Sequence, residues 1–295
     1  MSRKKQSNPK QKQGQNFSVS NLIDILVTIL QGQALSNEDA DSIGRFYTYN
    51  VPKKMYRYRP EHQREIETVI TNKIWFSKIS SLNDPFELNF QVDAMRIINS
   101  DIDMSKKMHS LPYLQQQSLL KKVSESVDYD EFHRNVSSKF TIACFSEKND
   151  SLLMWGHYSS GHRGICIEYD TIDLGQAYGK VVVPVEYSNR LPAISLIDDT
   201  RIMRSFLDII RIKSSDWKYE HEWRCIQDTG ACGDNLTNNG ALLDSSSPTA
   251  IYLGCMADGE FIKSLISSCK ETLQIPIYRM VKARNEFKLI PEQII

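Results

Sequence analysis

Two periodicities organise this chain. A spacing of three and four residues marks helices. Leu22, Ile23, Leu26, Ile29 and Leu30 share one face behind Ser20 or Asn21 as a cap, and residues 61–72 turn Ile66, Val69 and Ile70 inward. A period of two marks strands, and Met55-Tyr56-Arg57-Tyr58-Arg59 alternates in this way until Pro60 ends it, with Arg57 and Arg59 on one face. Further strands are predicted at 74–77, 140–146, 165–169, 181–187, 250–253, 276–281 and 286–290. Helices are predicted at 151–158, where Asn149 or Asp150 caps the start, at 199–214 and at 259–273. Residues 101–127 are polar and punctuated by Leu, which reads as a surface helix or helix pair, and the Gly- and Asn-rich stretch 229–248 reads as a long mobile loop. Short strands interrupted by helices, without an internal repeat, predict an α+β fold: a tail over 1–16, a helical segment over 17–50 and one α+β domain over 51–295.

The densest chemistry lies at Trp217-Lys218-Tyr219-Glu220-His221-Glu222-Trp223-Arg224. Read as a strand, this segment projects Glu220, Glu222 and Arg224 to one side and Tyr219, His221, Trp223 and Cys225 to the other, toward the core. Trp223 and His221 are then expected to be more buried than the two glutamates. Two carboxylates beside an arginine suit a ligand that is cationic or develops positive charge. A cross-strand ion-pair ladder of little energetic weight is the structural alternative.

Composition narrows the function classes. Of 295 residues, 41% are hydrophobic and 24% charged, ordinary for a folded soluble protein, and 36 basic against 36 acidic side chains give no bulk charge that demands nucleic acid or a membrane. Arg3, Lys4, Lys5, Lys10 and Lys12 make the first residues basic, read either as a solvated terminus or as loose attraction to RNA or another acidic partner. The apolar run from Leu22 to Leu30 is broken by Asp24 and Thr28, far short of a membrane span, and nothing before it resembles a signal peptide, so the chain reads as cytoplasmic with no membrane partner. Six cysteines without a C-x-x-C pair read as small buried hydrophobes of a reducing compartment. The histidines give no H-E-x-x-H, and no metal site is expected.

The order Tyr56-Arg57-Tyr58-Arg59, Ile74-Trp75-Phe76-Ser77, Leu82-Asn83-Asp84-Pro85-Phe86-Glu87, Cys144-Phe145-Ser146, Met154-Trp155-Gly156-His157-Tyr158 and the segment 217–224 resembles the bacterial family called domain of unknown function 2971, over about residues 55–260. That family name carries no function. More distantly, a first strand with a basic residue, a middle strand ending in Ser and a late Glu-x-Glu are similar to ADP-ribosyltransferases. That resemblance implies a split mixed or antiparallel sheet with flanking helices, and NAD as substrate. It places Arg57, or Arg59 on the same face, on the pyrophosphate or adenosine ribose, Ser146 under the nicotinamide end, and Glu222 against the ribose. Glu220 takes the position that orients an acceptor. Here Cys144-Phe145-Ser146 replaces a Ser-Thr-Ser run, and Arg57 stands where one branch has His.

Within this reading Tyr158, Trp75 or Trp155 stacks on nicotinamide, with a core role as the alternative for each. The Asn83-Asp84-Pro85 turn is expected at the sheet end near 154–158 with its amide or carboxylate facing the cleft. His157 or His162 serves as an acid, a base or a structural residue. The implied activity is transfer of ADP-ribose to a macromolecular acceptor, protein or nucleic acid, in bacterial defence or as a toxin. Two other classes compete: a noncatalytic interaction or ligand-sensing module, and a metal-dependent nucleic-acid enzyme using Glu220, Glu222 and Asp84.

Overall fold

The computed structural model describes residues 19–30, 33–177, 182–194 and 199–295. The basic segment 1–16 lies outside the described residues. Helices α1 (Val19–Leu30) and α2 (Asn37–Asn50) precede β1 (Lys54–Arg59), α3 (Gln63–Ile70) and β2 (Lys73–Lys78). After β3 (Gln91–Val92) come α4 (Ala94–Ser100), α5 (Ile102–Ser110), α6 (Tyr113–Glu125) and α7 (Tyr129–Lys139), then β4 (Phe140–Ser146), α8 (Leu152–Tyr158), β5 (Ile165–Asp170) and α9 (Thr171–Ala177). Next follow β6 (Val182–Pro184), β7 (Glu186–Ser188), β8 (Ala193–Ile194), α10 (Asp199–Arg211), β9 (Ile212–Ser214) and β10 (Glu222–Asp228). The chain closes with β11 (Gly240–Asp244), β12 (Ala250–Leu253), α11 (Gly259–Thr272), β13 (Ile277–Lys282) and β14 (Leu289–Gln293).

The fold is α+β, with a mixed sheet of ten strands flanked by helices. Its main path runs β11-β2-β4-β1-β5-β12-β13-β14, and β10 pairs with β4 and β6 beside it. One edge of β4 is paired along its whole length by β10, from Ser146 opposite Glu222 to Phe140 opposite Asp228. The other edge is shared. There β2 takes Ile142 and Thr141, while β1 takes only Ser146. Among the described residues no strand covers 143–145 on that side, and the sheet is split between β1 and β2.

Helices close each face of the sheet with an apolar cluster, and a third cluster gathers Tyr58, Trp155 and Tyr252. On one face, Leu22, Ile23 and Leu26 of α1 pack with Phe206 and Ile210 of α10 against Ile142 and Ile226. All five helical residues are buried, and each such side chain contributes roughly 1.5–3 kcal/mol of transfer free energy. On the other, α3 and α11 bring Ile66, Val69 and Leu265 onto Met55, Ala143, Trp223 and Cys225. β10 lies between two strands and two helical layers, so Glu222 through Ile226 are all buried.

Residues 101–127 hold a helix pair, α5 and α6, one of the two forms expected there, in a run of four between β3 and β4. Other elements correct the expectation. The stretch expected as a mobile loop carries β11, because the apolar residues Ala241, Leu242 and Leu243 pair with β2. Gly240 has φ 151° there, and a side chain at this position would collide with the Phe76 carbonyl. Residues 284–287 form a loop, and the final strand starts at Leu289.

Candidate functional site

A cavity of about 230 Å³ opens at the split. Arg57 of β1 lies on its wall, with Cys144, Phe145 and Ser146 of β4 and Tyr158 of α8. The Arg57 side chain is buried, spans the gap to donate to the Trp75 carbonyl of β2, and sits 5.7 Å from the Phe145 ring centre. Its second terminal nitrogen, Nη1, is buried with no hydrogen-bond partner. Burial, reinforced by neighbouring Arg59, lowers its pKa to about 10, and the group stays cationic at neutral pH. Arg59 is committed elsewhere, gripping buried Glu65 through two bonds of 2.6 and 2.8 Å. Of the two arginines that sequence left open, Arg57 is the cation without an anion.

The far wall is built by the segment before β10, and not as a continuous strand. Residues Ser215–Glu220 form a 3-10 turn, and His221 takes a left-handed backbone, φ 46° and ψ 53°, before β10 begins at Glu222. Strict alternation therefore fails. Glu220 and Glu222 are buried like Trp223, whereas the His221 side chain is 43% exposed. The left-handed residue reverses the chain between the glutamates, and both carboxylates still reach one point.

That point is Lys213 of β9, whose Nζ donates to Glu220 Oε2 at 2.6 Å and to Glu222 Oε2 at 3.0 Å. It also lies 4.9 Å from the centre of the Trp217 ring. Arg224, completely buried, donates from Nε to Glu222 Oε1 at 2.9 Å and pairs through both terminal nitrogens with Glu87. It also donates to the Ile210 carbonyl. Tyr158 donates to Glu220 Oε1 at 2.5 Å and accepts from Asn83 Nδ2 at 2.8 Å. The Ser146 hydroxyl donates to the Glu220 carbonyl at 2.6 Å, which ties β4 to the turn.

Environment separates the two carboxylates. Burial raises both, but for Glu222 the charges of Arg224 and Lys213 overcome it and hold the pKa down at about 2. Glu220 is shifted upward, chiefly by burial and further by the Glu222 charge, against the pull of Lys213. Glu222 is thus a fixed anion and Glu220 the more basic group, the division of labour an acid–base site requires. The Cys144 thiol is pushed well up by burial and by Glu222, so it is protonated and a poor nucleophile.

Not every expected residue enters the cavity. Trp155 is a core residue with no exposed surface, its indole N–H donating to the Asn149 carbonyl and its ring edge-on to Tyr58, so no face is free to stack on a ligand. Trp75 contributes its carbonyl to Arg57 and is absent from the lining. Asp84 is buried, but accepts from Phe86 N–H in a local turn and does not line the cavity, while its neighbour Asn83 does. The turn meets the site through an amide. The metal triad of Glu220, Glu222 and Asp84 is not assembled, since Lys213 occupies the space between the glutamates and Asp84 lies outside. Lys213 and Glu87 were not among the candidates. A lysine in a three-residue strand has no sequence signature, and Glu87 stood only as the end of the turn motif.

The model of a family described as a protein of unknown function (DUF2971) matches residues 154–225. This is narrower than the span of the resemblance and includes Tyr158, Lys213, Glu220, Glu222 and Arg224, but neither Arg57 nor Ser146. No curated protein and no solved structure matches the chain. Among the described residues, no helix is long and apolar enough to cross a membrane.

Proposed function

We propose that the split-sheet cavity is the active site of an ADP-ribosyltransferase-like enzyme that consumes NAD and passes ADP-ribose to a macromolecule. One observation carries the reading: Arg57, Ser146, Tyr158, Glu220 and Glu222, distant in sequence, line one cavity in which Arg57 is a buried cation lacking an anion. An unpaired buried guanidinium is costly, and a phosphate-bearing ligand would complete it with charge-assisted bonds. In the reaction the bond between nicotinamide and ribose breaks, and nicotinamide leaves with its electron pair. Positive charge develops on the ribose, where the fixed negative charge of Glu222 favours it. The acceptor attacks the same carbon, and its proton passes to Glu220, the more basic carboxylate, with Tyr158 holding that carboxylate in place.

The test is incubation of the purified protein with labelled NAD and cell extract. Label transferred to a macromolecule, or nicotinamide released, by the parent but not by folded Glu220→Gln and Glu222→Gln variants supports the enzyme. A second reading, a noncatalytic ligand-sensing module, is favoured by the engagement of both Glu222 oxygens by Arg224 and Lys213. Ligand binding at Arg57 without any turnover in the parent selects that reading.

A further inference from the structure

A second groove, of about 670 Å³, shares helix α8 with the first cavity. Met154 and Tyr158 of α8 line the cavity, while Leu152 lines the groove together with Met256 and the β13–β14 connection. At the groove's rim Phe287 is 100% exposed, and Met256 is 50% exposed. A wholly solvent-exposed phenyl ring next to other apolar side chains is uneconomical for an isolated molecule. Lys282, Arg284 and Lys288 line the same groove, all exposed and, among the described residues, in no ion pair. Glu286 is the one acidic residue of the lining.

His162 lines the same groove. Its backbone is held in the left-handed region, φ 68°, with its N–H donating to the Trp155 carbonyl and its own carbonyl accepting from Met256 N–H. One ring nitrogen, Nδ1, is buried without a hydrogen-bond partner. Burial and the nearby Lys282 depress its pKa, so at neutral pH the imidazole is uncharged and offers one donor and one acceptor.

We propose that this groove binds single-stranded nucleic acid, with a base stacked on Phe287 and phosphates against Lys282, Arg284 and Lys288. Stacking on an aromatic platform between cations is how such strands are held without sequence preference. A lipid surface fits less well. The apolar residues line a concavity, and Glu286 beside Phe287 would oppose insertion among anionic headgroups. The inference goes beyond the NAD reading, since binding is measured without NAD and survives even if no turnover is found.

The experiment is fluorescence anisotropy with a labelled oligouridylate of about twelve nucleotides, across roughly 50 to 200 mM salt, on the full chain. Three phosphate contacts predict a log–log salt slope near −2, at about 0.7 per contact. Phe287→Ala should weaken binding by roughly five- to a hundred-fold while leaving the slope unchanged, whereas joint replacement of Lys282, Arg284 and Lys288 by Ala should flatten it. All four side chains are exposed, so circular dichroism should match the parent. Absence of binding at the lowest salt, binding indifferent to both variants, or retention on phosphatidylserine vesicles in place of the oligonucleotide would overturn the proposal.

Discussion

Removing the Lys213 ammonium, as in Lys213→Met, leaves Glu220 and Glu222 facing one another without the cation that bridges them. All three side chains are about 5% exposed or less, so water cannot substitute. Taking one partner from a buried ion pair costs about 3–5 kcal/mol, mostly as the penalty of the charge left behind. Glu222 keeps Arg224, so the stranded charge is Glu220. Neutralising it in the double variant Lys213→Met/Glu220→Gln should therefore recover much of the loss, giving a coupling of about 2 kcal/mol or more. Urea unfolding followed by circular dichroism measures each free energy. The pH dependence supplies an internal check. Glu220 has a raised folded pKa, so between its unfolded and folded values the native state holds more protons, and stability falls as pH rises. Without Lys213 that rise is larger, and the deficit of the single variant should shrink as pH drops through the folded value. Glu222, lowered to about 2, behaves oppositely: its contribution is present above the unfolded carboxylate range and is lost as pH falls toward 2. A single variant within about 1 kcal/mol of the parent, with no coupling, would show that the glutamates reorganise freely and that Lys213 does not organise the site.

Three other outcomes follow from the geometry together with the proposed enzymatic reading. Arg57→Met should change stability by no more than about 2 kcal/mol, because one charge-assisted bond to Trp75 is lost while an unpaired buried charge is relieved, yet it should abolish NAD binding measured by calorimetry. Tyr158→Phe removes a hydrogen bond that holds the Glu220 pKa down, so the acid limb of the pH–rate profile, or the Glu220 carboxyl titration seen by NMR, should move to higher pH; an unmoved limb would separate Tyr158 from Glu220. Asp84→Asn should leave turnover unchanged and cost at most about 1 kcal/mol in chemical denaturation, since Asp84 accepts only within its own turn.

Sequence disclosed the elements whose pattern is set locally. The alternation at β1, the apolar run of β4 and the helical spacing of α1 and α11 all express burial at neighbouring positions, which a period of two or 3.6 reports directly. β11 was missed because its apolar residues sit in a Gly- and Asn-rich stretch whose composition signals a loop, and only pairing with β2 makes it a strand. In the same way residues 217–224 looked like one alternating strand. The left-handed turn at His221 depends on Ser146 and Tyr158 fastening Glu220 from other elements, and no local rule encodes that. The glutamates and Arg57 stood out because charged residues in otherwise apolar strands demand an explanation. Lys213 had no such contrast, since its neighbours Ile212 and Ser214 are only partly buried.

The ionic groups of this site fall into two kinds, and the difference indicates where a ligand acts. Glu87, Arg224, Glu222 and Lys213 form a chain in which every charge meets an opposite one, so the chain is stable without a ligand. Such a network fixes geometry. Two other groups on the cavity wall differ from it. Arg57 keeps a buried N–H without an acceptor, and Glu220 carries an upward-shifted pKa against a tyrosine on the cavity wall. A fold under selection for stability alone would replace an unpaired buried arginine by an apolar side chain, because cation–π contact with Phe145 and one carbonyl bond do not offset full desolvation. Retaining it at the split of the sheet makes sense if the missing partner arrives with the ligand. The self-satisfied chain holds Glu220 and Tyr158 in the same cavity as Arg57, so that in the proposed reaction one molecule can meet the arginine and the acid–base pair together.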